Sequence, residues 1–259
     1  MQRLSDSIAA LPRVNPLDAA FFLDFDGTLV ELAAAPDRVI VEPVVVELLG
    51  GVRRASHGAL AVVSGRGIDS IDALLVSDEL ADLPIAGLHG AERRDANGNV
   101  LRVGFNDPRL GRIERELERV VDENPGMLLE IKGAALALHY RNVPAREPLA
   151  RRATERLCAE YSDAYVLQPG KMVYEIRPKN VDKGRAVEAF LNEPPFAGRM
   201  PVFAGDDLTD EKGFDLVNAR GGLSIKIGDG DTRAGARLPS VDGLRHWLAT
   251  LVGACQPRA

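Results

Sequence analysis

The sequence predicts an α/β fold: a doubly wound, mostly parallel sheet with a smaller α+β domain inserted into it. Short continuous apolar runs alternate with helical patterns near both ends of the chain, while the middle reads helix, two strands, helix, two strands. The length of 259 residues suits a large domain plus a smaller one.

The elements follow in order. Ala19–Leu23 is an apolar run that stops at Asp24, and Ala59–Val63 stops at Ser64. Val202–Ala204 stops at Gly205-Asp206-Asp207, and Leu223–Ile227, broken by Lys226, stops at Gly228. Runs of this kind suit strands buried on both faces of a parallel sheet. Pro43–Ala55, Ile68–Val76, Asp182–Leu191, Asp210–Asn218 and Val241–Val252 carry helical patterns between and after them. That alternation argues for an open, doubly wound sheet. Trp247, with Leu244, Leu248 and Leu251, fits a helix packing face.

Asp107–Asp122 then reads as an amphipathic helix, with Leu110, Ile113, Leu117 and Val120 at helical spacing. Met127–Ile131 and Ala134–Tyr140 read as strands joined across Gly133, and Glu147–Tyr161 as a second helix. Tyr165–Leu167 and Met172–Ile176 form a hairpin that turns at Pro169-Gly170. Borders near Gly104 and Pro178 give a core of residues 1–103 and 179–259 and an insertion of residues 104–178.

The formal net charge is −6, with no long basic run and no basic stripe interleaved with aromatics. Nucleic acid and membrane are therefore not expected as partners, while a small anionic substrate is still possible, because a local pocket can be positive on an acidic protein. Cys158 and Cys255 form no CxxC pair and read as free thiols in a reducing compartment. The first residues lack a signal-peptide core, and no apolar run is long enough to span a membrane. A cytoplasmic protein is expected. A monomer is expected too, with an oligomer left open.

Ligands of open α/β sheets bind beyond the carboxyl ends of the strands. There stands Asp24-Phe25-Asp26-Gly27-Thr28. A carboxylate at the end of a buried strand needs a partner, and a second one two residues on suits a division into nucleophile and proton donor. Asp206, Asp207, Asp210 and Glu211 follow the third strand and would repel one another unless a cation or a helix N-terminus compensates. Oxygen-only donors favour a hard ion such as Mg²⁺. Glu211 simply suits the start of a helix, and Asp210 fits that role or the ion equally. Ser64-Gly65-Arg66 can hold a phosphate oxygen, although Ser-Gly is also an everyday turn. Lys183 alone reads as a solvated surface lysine.

Together, and in this order, these segments resemble the haloacid dehalogenase-like phosphatases. The resemblance implies Asp24 as nucleophile, Asp26 as general acid/base, and Ser64, Gly65 and Lys183 on the phosphoryl group. It implies Mg²⁺ held by Asp24, the Asp26 backbone carbonyl and Asp206, with Asp207 in or near that shell. The insertion between Ser64 and Lys183 stands where this superfamily carries its type C2 cap. Gly87-Leu88-His89-Gly90-Ala91-Glu92, Glu130-Ile131-Lys132, Leu138-His139-Tyr140-Arg141, Gly170-Lys171 and Glu175-Ile176-Arg177-Pro178 narrow the likeness to the trehalose-6-phosphate phosphatase family.

That likeness implies trehalose 6-phosphate as substrate, with Glu130, Lys132 and Glu175 on the distal glucose. It adds Arg141, Lys171 and His89 as further substrate contacts. Without it, Glu130 and Lys132 read as a solvated sheet face, and Gly170-Lys171 as a hairpin turn. The competing readings are a phosphatase for sucrose or hexose phosphates, a phosphomutase, and a non-catalytic sugar-phosphate sensor.

Overall fold

The computed structural model describes residues 11–33 and 38–254. Cys255 and residues 1–10, to which the free-thiol and leader readings extend, lie outside the described residues. The chain divides into two compact units. One runs up to Leu101 and resumes at Asp182, and the other is Arg102–Val181.

The first unit opens with β1 (Ala19–Leu23), α1 (Pro43–Ala55), β2 (Leu60–Val63), α2 (Ile68–Leu74), β3 (Ile85–Gly87), β4 (Glu92–Arg94) and β5 (Val100–Arg102). The second unit holds α3 (Pro108–Asp122), β6 (Leu128–Lys132), β7 (Ala135–His139), α4 (Glu147–Glu160), β8 (Tyr165–Gly170) and β9 (Val173–Pro178). The first unit resumes with α5 (Lys183–Leu191), β10 (Met200–Gly205), α6 (Glu211–Ala219), β11 (Leu223–Ile227), β12 (Ala236–Leu238) and α7 (Val241–Ala254).

The larger sheet runs β12-β11-β10-β1-β2-β3-β4-β5. Pairing is parallel from β12 through β3 and turns antiparallel between β3 and β4. From β1 the chain builds outward through β2 and β3, then crosses to the other side of β1 to build β10, β11 and β12. The order therefore reverses between β1 and β10, the kind of place where α/β sheets bind ligands.

Alternation along β1 sends side chains to both sides of the sheet. Phe21 and Leu23 pack in the layer that holds Leu49, Ile71 and Trp247, whereas Phe22 packs in the layer of Phe190, Phe196 and Phe214. Leu244, Leu248 and Leu251 join Trp247 in the first layer, as the helical spacing predicts. Phe22 stacks on Phe190 and Phe196 with ring centroids 6.0 and 5.4 Å away.

The second unit has its own core of Leu110, Ile113 and Leu117 from α3, Leu157 from α4, and Leu136, Leu138 and Ile176 from the strands. Its sheet runs β6-β7-β9-β8, all antiparallel. The β8–β9 turn is not at Pro169-Gly170. Pro169 pairs with Tyr174 and Gly170 with Val173, and the chain reverses at Lys171-Met172 with Met172 at φ +64°. Proline is tolerated in the ladder because β8 is an edge strand, where a missing N–H breaks no inner pairing.

Cys158 is buried in this core, and burial pushes its thiol up to about 11, which leaves it unreactive near neutrality. No helix of the described residues is long and apolar enough to cross a membrane.

Removing the Phe22 ring opens a cavity beside two other phenylalanines. Phe22→Ala is expected to lower the unfolding free energy by about 3–5 kcal/mol. Urea unfolding followed by fluorescence of Trp247, the sole tryptophan of the chain, measures it within the same unit. A loss below about 1 kcal/mol would contradict this packing.

Candidate active site

Three neighbouring strands deliver the first polar groups. Leu23 is in register with Val62 of β2 and Ala204 of β10, and the Asp24 amide donates to the Ala204 carbonyl at 3.0 Å. Asp24, Ser64 and Asp206 therefore follow three adjacent strand ends. Beyond Asp24 the chain turns tightly: the Leu29 and Val30 amides donate to the Phe25 carbonyl, and the Gly27 amide to the Val30 carbonyl at 2.7 Å. Gly27 sits at φ +77°, and a Cβ there would fall 2.2 Å from Asp206 Oδ2. Backbone conformation and space both demand glycine.

Carboxylate oxygens of Asp24, Asp206 and Asp210 all lie within 4.8 Å of one another and are placed to hold a metal ion. Lys183 Nζ donates to Asp24 Oδ1 at 2.7 Å and to Asp210 Oδ1 at 2.6 Å. Thr28 Oγ1 lies 3.0 Å from Asp24 Oδ2 and 3.3 Å from Asp206 Oδ1. Lys183, a surface lysine by local sequence, is 2% exposed. It opens α5, whose N-cap Asp182 accepts from the Arg185 amide.

One ammonium faces three carboxylates, and the protonation balance shows it. Burial opposes the charge on Lys183, but Asp24 and Asp210 outweigh burial and hold the ammonium above its ordinary value. Burial, and then the charge of Asp24, push the Asp206 carboxyl up to about 7. The same two causes raise Asp210. Even with one ammonium among them the three carboxylates repel one another, and that repulsion adds to burial in raising Asp206 and Asp210.

The acidic loop divides differently from its spacing. Asp210 Oδ2 accepts from the amides of Asp206 and Asp207, both at 3.0 Å, while its other oxygen meets Lys183. Gly205 makes room, since a Cβ there would fall 2.3 Å from Asp210 Cγ. Asp207 instead caps the short turn after it, accepting from the Thr209 amide and hydroxyl. Burial works against its charge, but Lys183 and Thr209 hold it below the ordinary carboxylate range. The structure does not bring the Asp207 carboxylate into the three-aspartate group. Glu211 begins α6 and accepts from Thr232 and the Arg233 amide.

Asp26 is held by Arg66 through paired bonds of 2.6 and 2.8 Å. Ser64 is buried, its Oγ accepting from the Arg66 amide at 3.1 Å. The His89 amide donates to the Ser64 carbonyl and the Leu88 amide to that of Arg66. Leu88 and His89 both take left-handed backbone, at φ 50° and 57°. The His89 ring covers Gly65, where a Cβ would fall 2.8 Å from His89 Cε1. His89 thus belongs to the Ser64–Gly65 loop, and Glu92 braces that loop by accepting from the Ile68 amide. On the other flank buried Lys226 donates to the Asp206 carbonyl. Beside it a cavity of about 340 Å³ is lined by Gly27, Asp206, Lys226 and Gly228.

The second unit gathers another polar group on the open face of its sheet. Lys132 Nζ lies 3.6 Å from Glu130 Oε2 and 3.5 Å from Glu175 Oε2, and His139 Nε2 lies 2.9 Å from Glu130. Lys132 on β6 and Glu175 on β9 are separated by β7. Strands two positions apart lie roughly 10 Å apart, so the pair meets only over small side chains, here Ala135 and Ala137. Arg141 is exposed in the loop after β7 and Lys171 at the hairpin turn, both outside this ion-paired group. Asp210, Thr28 and Arg66 are the site groups that local sequence left unassigned. Their signal is position, within one turn of the motif aspartates or of Ser64.

The fold is that of the haloacid dehalogenase-like hydrolases. One from Bacteroides thetaiotaomicron aligns with a TM-score of 0.66 at 14% identity, covering 90% of this chain and 99% of that one. A crystal structure of a trehalose-6-phosphate phosphatase related protein aligns with a TM-score of 0.71 at 26% identity, covering 91% of this chain and 97% of that one. In sequence, the chain is 44% identical over 239 residues to the trehalose-6-phosphate phosphatase of Escherichia coli strain K12, covering 92% of this chain and 88% of the relative. The family model for trehalose-phosphatase matches residues 22–239. The chain belongs to the trehalose-phosphatase family and is an enzyme, a phosphatase.

Gly27→Ala tests the geometry directly. The left-handed backbone alone costs a non-glycine residue about 1–2 kcal/mol. The clash with Asp206 adds to that, so a stability loss of at least about 1 kcal/mol in urea unfolding is expected. No loss would contradict the close approach of the two loops.

Proposed function

We propose that the chain hydrolyses trehalose 6-phosphate to trehalose and inorganic phosphate, in two steps through an aspartyl-phosphate on Asp24. The observation that carries the reading is the buried Lys183 ammonium bridging Asp24 and Asp210 with Asp206 beside them. A carboxylate cannot approach a phosphate dianion unless positive charge is already in place. Oxygen-only donors, with carboxylates crowded closely enough to raise Asp206, fit a hard divalent cation. Asp24, Asp206 and the Asp26 carbonyl would hold Mg²⁺, with Asp210 bracing the loop. When bound, the ion supplies charge neutralisation and alignment between carboxylate and phosphoryl group.

In the first step an Asp24 oxygen forms the bond to phosphorus while the bond from phosphorus to the sugar oxygen breaks. Asp26 gives its proton to that oxygen. In the second step Asp26 takes a proton from water as the water oxygen bonds to phosphorus and Asp24 leaves. Lys183 steadies the charge on Asp24, and Arg66 fixes the orientation of Asp26. Ser64 and the Gly65 amide hold phosphoryl oxygens. Sugar recognition falls to Glu130, Lys132 and Glu175, with Arg141, Lys171 and His89 as further contacts. The name of the Escherichia coli relative supports the substrate, as does an ion-paired sheet face rich in acceptors for sugar hydroxyls.

Phosphate release with Mg²⁺ from trehalose 6-phosphate, sucrose 6-phosphate and glucose 6-phosphate tests the reading. Strong release is expected from the first alone. Asp24→Asn is expected to lower kcat on the order of 10⁴-fold or more. Release from another sugar phosphate would keep the mechanism and overturn the substrate. No release from any would favour a mutase or a sensor.

A further inference from the structure

The row of polar groups on the second sheet does not end at Glu175. Register sets Glu130 opposite Ala137, Ala137 opposite Glu175, and Glu175 opposite Gln168. Directly opposed residues project from the same face of a sheet. Gln168 therefore stands one strand beyond Glu175 on the same face, on the edge strand β8, and is half-buried.

Its amide is held in one orientation. Arg177 Nε donates to Gln168 Oε1 at 2.6 Å, and Arg177 Nη1 donates to the Val181 carbonyl at 2.5 Å. A guanidinium has donors only, so the oxygen of the amide must face Arg177 and its NH₂ must face the other way. The result is a pair of N–H donors fixed beside a carboxylate.

Such a pair answers a shortage on this face. Glu130 and Glu175 accept from sugar hydroxyls but cannot donate to them. Lys132, the ammonium among them, already lies against both carboxylates. Each hydroxyl also has lone pairs that need a donor when water is displaced. A donor one strand spacing from Glu175 can serve the hydroxyl next to the one that Glu175 takes.

We propose that Gln168 is a specificity-determining residue, its Nε2 donating to a hydroxyl of the sugar ring held by Glu175. This rests on the reading of that face as the sugar site. Gln168 then favours a phosphate ester carrying a hydroxylated ring over one without it, and it leaves the phosphoryl chemistry alone.

Steady-state kinetics on the full chain with Gln168→Glu, Glu175→Gln and Glu130→Gln test it, using trehalose 6-phosphate and p-nitrophenyl phosphate. Gln168→Glu keeps the length and the acceptor for Arg177 but replaces the NH₂ donor with an acceptor. KM for trehalose 6-phosphate is expected to rise about five- to tenfold with kcat within about twofold, as for one lost hydrogen bond made equally in ground and transition states. Hydrolysis of p-nitrophenyl phosphate and the melting temperature stay at wild-type values. An unchanged KM in Gln168→Glu, with a raised KM in Glu175→Gln, would overturn the role of Gln168 and leave the sugar face standing. Unchanged KM in all three variants would overturn the sugar face and the proposal with it. An equal loss with both substrates would also overturn it, because the effect would then not be confined to the sugar.

Discussion

One ammonium set against three carboxylates is the constraint on which the rest of the first unit depends. Lys183 meets Asp24 and Asp210, while the Thr28 hydroxyl lies within reach of both Asp24 and Asp206. Gathering three acids in a part-buried place is costly unless each is held. The surrounding structure is that holding. Gly27 and Gly205 let the two loops close on each other, backbone amides take one oxygen of Asp210, and Lys226 grips the Asp206 carbonyl. The mutual repulsion that remains among the acids raises the Asp206 and Asp210 carboxyls.

The second unit sets one ammonium between two carboxylates as well, but in a more exposed place. Its Glu130, Lys132 and Glu175 lie nearer solvent, and the ammonium is flanked by two carboxylates at 3.6 and 3.5 Å. Ala135 and Ala137 matter as much as the charged residues, because bulkier side chains on β7 would part the ions on either side. An acceptor-rich, partly hydrated face suits a neutral polyhydroxyl ligand.

The sequence made the long buried strands legible, and with them the switch point, because apolar runs ending in Asp24, Ser64 and Gly205 carry both signals at once. It also made legible a second unit with its own helix and strand pattern. Three residues are too few for a period, so β3 escaped, and β4 and β5 are polar or exposed strands that no apolar run announces. The β8–β9 turn misled because Pro-Gly favours turns locally, whereas an edge strand admits proline. Asp207 and Asp210 are both three-dimensional decisions. Each can cap a helix or face an ion, and only the fold of the loop around Gly205 makes Asp207 the cap and turns Asp210 inward. Lys183 reads as a surface lysine until β1 is set beside the start of α5.

Calorimetric titration of Mg²⁺ into the protein without substrate addresses the charge constraint most directly. Wild type is predicted to bind one ion per chain, Asp206→Asn to bind at least about tenfold more weakly, and Glu211→Gln, whose carboxylate is engaged elsewhere, to match wild type. Equal Mg²⁺ affinity in Asp206→Asn and wild type would contradict the account, because the crowding of Asp206 with Asp24 and Asp210 would then not be what draws the cation.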